Sequence, residues 1–183
     1  MNKIKLFLSN IDEMLFDIPN GFSLADEDEQ IICAFAKRAH KILEIGTCWG
    51  RTTANLAKFS PNDAIVYSID KEDKVNPILM SYPFSNKIRL IKDNSFYYDF
   101  IRNGMSDLDL IFIDGSHAKT SVYADTRISM QLIAREGIIV WHDFAMKDNV
   151  GEYVFDYFSE FTIKPKILTR DLGYFSFNTE VEL

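Results

Sequence analysis

Five short apolar runs divide the middle of the chain, and each gap between them leaves room for a helix. They are KILEI at 41–45, IVYSI at 65–69, IRLI at 88–91, DLIFI at 109–113 and IIVW at 138–141. The first and last are nearly unbroken in Ile, Leu and Val. Strands buried on both faces have that composition, and they belong to parallel sheets covered by helices. The stretches at 51–59, 73–81, 96–104, 118–134 and 150–159 are predicted as helices, as is SLADEDEQIICAFAKRAH from Ser23, whose first turn is crowded with the acids a helix start favours. Residues 3–16 are predicted as a short helix as well. Strand–helix alternation of this kind predicts a doubly wound α/β sheet. Two further runs, 161–168 and 173–177, flank LTRDLG, a link too short for a helical crossover, so the last strand is expected to run antiparallel.

Composition narrows the function classes. At 183 residues the chain is read as one domain, 1–183, with residues 1–22 an N-terminal helical extension or lid. Apolar residues make up 47% and charged residues 26%, an ordinary globular balance. The net charge of -7 argues against nucleic acid as a partner. No apolar run approaches the ~20 residues of a membrane span, and the start lacks the pattern of a leader peptide. Cys33 and Cys48 form neither a disulfide framework nor a zinc motif; they are read as reduced thiols in or near the core, in keeping with a cytoplasmic setting.

In open α/β sheets ligands bind beyond the carboxyl ends of the strands. Those ends carry Glu44-Ile45-Gly46, Asp70, Asp93-Asn94, Asp114 and His142-Asp143, so all five present a polar and mostly acidic group. After the first strand comes the turn in ILEIGTCWGRTT, residues 42–53. A dinucleotide fingerprint would need glycine at 46, 48 and 51, where the chain has Gly46, Cys48 and Arg51; the phosphate-loop pattern fails too. The turn is E-x-G-x-x-x-G. Gly46 and Gly50 let backbone approach a ligand closely. Glu44 would repel a pyrophosphate and attract an ammonium, and Asp70 can accept two hydrogen bonds from a ribose diol. A nucleoside with a cationic amino-acid tail and no phosphate fits these groups: S-adenosylmethionine.

ILEIGTCWGRTT resembles motif I of the class I S-adenosylmethionine-dependent methyltransferases, and more closely the small-molecule O-methyltransferase branch, in which it reads like LEIGTxxGxST. DLIFIDGSHAKTSVYADTRISMQLIAREGIIVWHDF at 109–144 resembles the same family's pattern of IDG-S/A-H, a helix, L-x-x-G-G, an apolar strand and HD. The resemblance spans roughly residues 25–178. It implies a Rossmann-like, mostly parallel seven-stranded sheet with one antiparallel strand near the C-terminus. It also implies that Glu44, Gly46, Thr47 and Gly50 surround the methionine part of the cofactor and that Asp70 holds the ribose. An acid after the third strand would contact the adenine amino group, at Asp93 or Asn94, although both are also common turn formers. Asp114 and the Gly115-Ser116-His117 turn would sit near the transferring methyl; His117 can equally cap the following helix.

Methyl transfer from a sulfonium is an in-line displacement, and alignment alone can contribute ~7–11 kcal/mol. Two devices could take the proton from the nucleophile. Asp114, His142 and Asp143 could form a divalent metal site that lowers the pKa of a substrate hydroxyl. Metal-dependent relatives resembling catechol O-methyltransferase have Asp and Asn at the last two positions. An all-oxygen set suits magnesium, and an imidazole shifts preference toward zinc, manganese or iron. Alternatively His142 or His117 acts as general base. The acceptor is expected to be a hydroxylated small molecule. The chain is short for this family, so the pocket walls are expected from the N-terminal residues, the 144–152 loop or a second subunit in a homodimer. The competing readings are a cofactor-binding protein without turnover and a nucleotide-dependent oxidoreductase; the missing third glycine and the carboxylate at 44 argue against the latter.

Overall fold

A computed structural model describes residues 2–6, 15–16, 24–145 and 149–183. In chain order the elements are β1 (Asn2–Lys5), α1 (Asp26–Ala36), β2 (Lys41–Ile45), α2 (Arg51–Phe59), β3 (Ile65–Asp70), β4 (Ile88–Lys92), β5 (Leu108–Ile113), α3 (Lys119–Leu132), β6 (Ile133–Trp141), α4 (Val150–Tyr157), β7 (Lys166–Ile167), β8 (Gly173–Phe175) and β9 (Thr179–Glu182). Seven strands form one sheet in the order β4-β3-β2-β5-β6-β8-β7. The pairs from β4 to β6 are parallel, and β8 runs antiparallel to both β6 and β7. The expected mostly parallel seven-stranded sheet with one antiparallel strand is therefore present. The chain order reverses about β2, which has β3 on one side and β5 on the other; a crevice at such a switch point is where ligands bind in this architecture.

Strand periodicity builds the two core layers. Ile42, Val66, Leu110, Phe112 and Val140 point to one face and join Ile31, Ile32 and Phe35 of α1 with Leu56 of α2. Their neighbours Leu43, Ile69, Ile111, Ile113, Ile139 and Trp141 point to the other and join Val122 and Leu132 of α3 with Val154 of α4. Adjacent strand residues alternate between faces, so runs apolar at every position are required when both faces are covered. Each fully buried Ile, Leu or Phe contributes about 1.5–3 kcal/mol.

Helix α2 spans the predicted 51–59, and α1, α3 and α4 lie within their predicted stretches. Two predicted helices are absent. Residues 73–81 give only a short 3₁₀ turn, Pro77–Ser81. At 96–104 the chain makes successive turns. There Phe100 is buried while Phe96, Tyr97 and Ile101 are exposed, so this segment has no apolar stripe to dock on the sheet. Residues 2–5, of which 3–5 were expected to begin a helix over 3–16, pair in parallel with the unforeseen strand β9; most of the remainder of that predicted helix lies outside the described residues. Strand β6 begins earlier than predicted, because Ile133 pairs with Leu108 before an irregularity in the ladder. Strand β7 keeps only two residues of the predicted 161–168.

Candidate functional site

The turn after β2 is shaped by two glycines that no other residue could replace without strain. Gly46 has φ +105°, and a Cβ there would lie 2.1 Å from the Asp114 carbonyl oxygen. Gly50 has φ +91° and would press a Cβ to 2.9 Å from Leu79 Cδ2. Gly46 therefore lets β2 and β5 end side by side, and Gly50 starts α2. Beneath this turn Glu44 is 1% exposed, and its Oε2 accepts hydrogen bonds from the hydroxyls of Thr53 and Ser68. Parallel register places Ser68 directly beside Glu44. Thr47 Oγ1 lies 2.6 Å from Ser68 Oγ, extending the chain of hydroxyls. Burial raises the Glu44 pKa to about 8 against the lowering effect of the two hydroxyls. Glu44 lines neither of the cavities described next. It holds the turn from below, and burial favours its neutral form, where the sequence led us to expect a charged partner for an ammonium.

Two cavities open beside the turn and share Gly46, Cys48 and Asp114. The first, about 280 Å³, is lined by Gly46, Ile69, Asp70, Lys71, Glu72, Asp93, Asn94, Ser95, Phe96, Gly115 and Asp125 among others. Asp70 Oδ2 accepts the Cys48 amide at 2.9 Å and Oδ1 accepts the Glu72 amide at 2.9 Å. These bonds fix the carboxylate at the cavity wall with lone pairs left over on both oxygens. Asp93 is exposed, its Oδ1 accepting the Asn94 amide at 2.7 Å, and Asn94 Oδ1 accepts the Phe96 amide at 3.0 Å.

The second cavity, about 390 Å³, is lined by Leu24, Gly46, Thr47, Trp49, Gly50, Arg51, Asp114, His117, His142 and Asp143 among others. Here the strand ends of β5 and β6 bring four chemical groups together. His142 Nδ1 lies 3.1 Å from Asp114 Oδ1 and 3.0 Å from Asp143 Oδ2. His117 Nε2 lies 3.0 Å from the same Asp143 Oδ2. Asp143 takes φ +53°, a left-handed conformation Asp tolerates better than most residues, and this conformation presents its carboxylate to both imidazoles. Burial would push the His142 pKa down. Its hydrogen bonds and charge attraction to Asp114 and Asp143 outweigh that and hold it at about 10, so the ring is an imidazolium at neutral pH. The same contact with His142 lowers the Asp143 carboxyl. These contacts favour the charged form of the ring over the neutral form that a general base needs.

Donor atoms of Asp114, His117 and Asp143 lie within 4.8 Å of one another, close enough to share one ion. Mixed imidazole and carboxylate donors suit zinc, manganese or iron. This set exchanges the expected His142 for His117, since His142 spans the two carboxylates as an internal cation. Among the lining groups without a signal in sequence are Ser95, Phe96 and the buried Asp125, which reaches the cavity from the middle of α3. The acids at strand ends were legible because the topology puts them in one crevice; Asp125 arrives by packing. On the side of the N-terminal extension, Arg51 Nε donates to the Phe16 carbonyl at 3.2 Å, and Asn55 Oδ1 accepts from the Phe16 amide at 2.8 Å. Most of the expected lid, 1–22, lies outside the described residues. No helix among the described residues is long and apolar enough to cross a membrane.

The fold is shared with solved methyltransferases. A candidate caffeoyl-CoA O-methyltransferase of Staphylococcus aureus superposes with TM-score 0.68 at 20% identity, covering 91% of this chain and 90% of that one. The O-methyltransferase TomG of Streptomyces achromogenes, involved in tomaymycin synthesis and solved with S-adenosylmethionine, gives TM-score 0.63 at 18% identity, covering 91% and 86%. The Podospora anserina methyltransferase PaMTH1, solved with S-adenosylhomocysteine, gives 0.66 at 13%, covering 84% and 79%. Comparison with curated protein sequences returns no match. The family described as a methyltransferase domain matches residues 43–144, more than half the chain, from β2 through the His142-Asp143 strand end. The chain belongs to this methyltransferase-domain family.

Proposed function

We propose that the protein is an S-adenosylmethionine-dependent methyltransferase acting on a hydroxyl oxygen of a small molecule, with the first cavity taking the nucleoside and the second the amino-acid tail and the acceptor. One observation carries this reading: two cavities meet at Asp114, with a ribose-type carboxylate, Asp70, along one and a His–Asp cluster along the other. The match in fold to solved methyltransferases supports it. S-adenosylmethionine, when bound, supplies a methyl group on a positively charged sulfur. Asp70 accepts the ribose hydroxyls. The N-terminus of α2 suits a carboxylate, and Asp114 and Asp143 suit positive charge.

In this reading His117 takes the acceptor proton. Asp143 orients its Nε2, as a carboxylate orients a catalytic imidazole. The His142 imidazolium joins Asp114 to Asp143 and keeps the carboxylates in register. A second reading has support in the convergence of Asp114, His117 and Asp143: those residues would hold a divalent ion, which would lower the pKa of the acceptor hydroxyl.

Calorimetry with S-adenosylhomocysteine and NAD tests the cofactor: tight binding of the first and none of the second is expected, and the reverse would sink the reading. Adenosylhomocysteine release on incubation with hydroxylated metabolites tests turnover and separates an enzyme from a binding protein. Turnover that survives exhaustive chelation favours His117 as base; loss restored by one added metal favours the ion.

A further inference from the structure

We infer that a third cavity, at the amino ends of β5 and β6, binds a small zwitterion with an aliphatic tail: an α-amino acid of about leucine's size. It lies at the other edge of the sheet from the crevice described above, and the inference stands apart from the cofactor reading. An irregular ladder makes this cavity. Leu108 pairs with Ile133 and Leu110 with Ile138, so residues 134–137 of β6 stand against Asp109 alone. A strand carrying extra residues bends away from its neighbour. Ala134 and Glu136 of this stretch line the resulting space, about 210 Å³. Phe35 near the end of α1, Ala39 just past it, Leu110 and Ile138 give it a buried apolar lining. The volume falls below the ~300–1,000 Å³ of sites for drug-sized ligands, which suits a smaller metabolite.

Three charged groups line the same cavity and do not pair with one another. Arg38 is exposed, and its guanidinium makes no hydrogen bond or ion pair among the described residues. Asp109 Oδ2 accepts the His40 amide at 2.8 Å and the Lys41 amide at 3.0 Å; Oδ1 has no partner among the described residues. Glu136 Oε1 accepts from Asn2 Nδ2 at 2.9 Å, and its second oxygen is likewise unpartnered. An anion in this cavity would meet two carboxylates, and a simple amine would meet Arg38. A zwitterion satisfies both signs. Its carboxylate takes the Arg38 guanidinium and its ammonium takes Asp109 or Glu136, each a charge-assisted hydrogen bond. Its tail covers the apolar lining. Ile4 of β1 also lines the cavity and Glu136 holds Asn2, so an occupant fastens β1, with its partner β9, to the sheet.

Calorimetry on the full chain tests this with three probes: L-leucine, 4-methylpentanoate, which lacks the ammonium, and 3-methylbutylamine, which lacks the carboxylate. L-leucine is expected to bind roughly tenfold more tightly than either analogue, and equally well with saturating S-adenosylhomocysteine present. Arg38→Ala should weaken L-leucine roughly tenfold and leave 3-methylbutylamine unweakened. Arg38 is exposed, so its loss is not expected to disturb folding. Ala134→Phe, which fills the cavity from its wall, should abolish binding of all three, with thermal melts showing that each variant is folded. Absence of L-leucine binding at millimolar concentration overturns the inference, as does equal binding of the three probes. Displacement of L-leucine by S-adenosylhomocysteine would put the amino acid in the crevice instead and overturn it too, as would an unchanged affinity in folded Arg38→Ala. Failure to bind S-adenosylhomocysteine sinks the cofactor reading alone, and the Arg38→Ala comparison then decides this one.

Discussion

At the residue scale the site divides into groups that meet ligand and groups that hold those groups in place. Asp70 is the proposed ribose partner: its two oxygens accept from backbone amides, and it lines the first cavity. Asp70→Ala is expected to weaken S-adenosylhomocysteine binding roughly tenfold to a hundredfold in calorimetry, with Asp70→Asn intermediate. With His117 as the proposed base, its alanine variant should lose about 10²–10⁴ in single-turnover rate while cofactor affinity is unchanged. A parallel loss of affinity would place it in the cofactor pocket instead. Glu44 belongs to the second kind. It sits under the glycine turn, and its Oε2 is joined to Thr53 and Ser68.

At the scale of elements, the turn between β2 and α2 sets how closely two strand ends approach. Gly46→Ala would drive a methyl against the backbone carbonyl of Asp114, which cannot rotate away. Gly50→Ala would meet the end of the Leu79 side chain, which can. Both also place a side chain at positive φ. Thermal melts should therefore rank Gly46→Ala as the more damaging, at roughly 3 kcal/mol or more and ~6–12 °C, against roughly 1–2 kcal/mol for Gly50→Ala. Equal losses would show that φ strain alone decides. Helix α3 has a comparable dual role: Val122 and Leu132 pack it on the sheet, and Asp125 between them reaches the cavity.

At the scale of the whole molecule, buried titratable groups make stability depend on pH. Glu44 has its pKa raised from 4.5 to about 8 in the fold, so between those values the folded state holds more protons than the unfolded. Stability is then full below about pH 4.5 and falls as pH rises toward 8. His142, raised from 6.5 to about 10, has the same sign: its contribution is complete below 6.5 and is lost as pH rises through 10. Urea unfolding should show a decline from pH 5.5 to 6.5 that Glu44→Gln largely removes, and a steeper one from 6.5 to 8 to which both groups contribute, on the order of a few kcal/mol in all. The decline that remains in Glu44→Gln, from 6.5 to 10, should disappear when His142→Asn is added. A flat profile in the wild type would contradict both the burial of Glu44 and the pairing of His142 with Asp114 and Asp143. The parallel sheet was legible in the sequence because strands covered on both faces must be apolar at every position, as KILEI and DLIFI nearly are. The crevice acids were legible because chain topology alone carries Asp70, Asp114 and Asp143 to one edge. Strand β1 was not, since its pairing with β9 joins residues from opposite ends of the chain. Nor was the inward turn of Glu44, which depends on Ser68 standing beside it in the neighbouring strand. The sequence by itself determined which residues gather at the sheet's carboxyl edge. The tertiary structure alone decided which of them face a cavity, which hold a proton and which lie beneath, because burial and partner distance exist only once the strands are side by side.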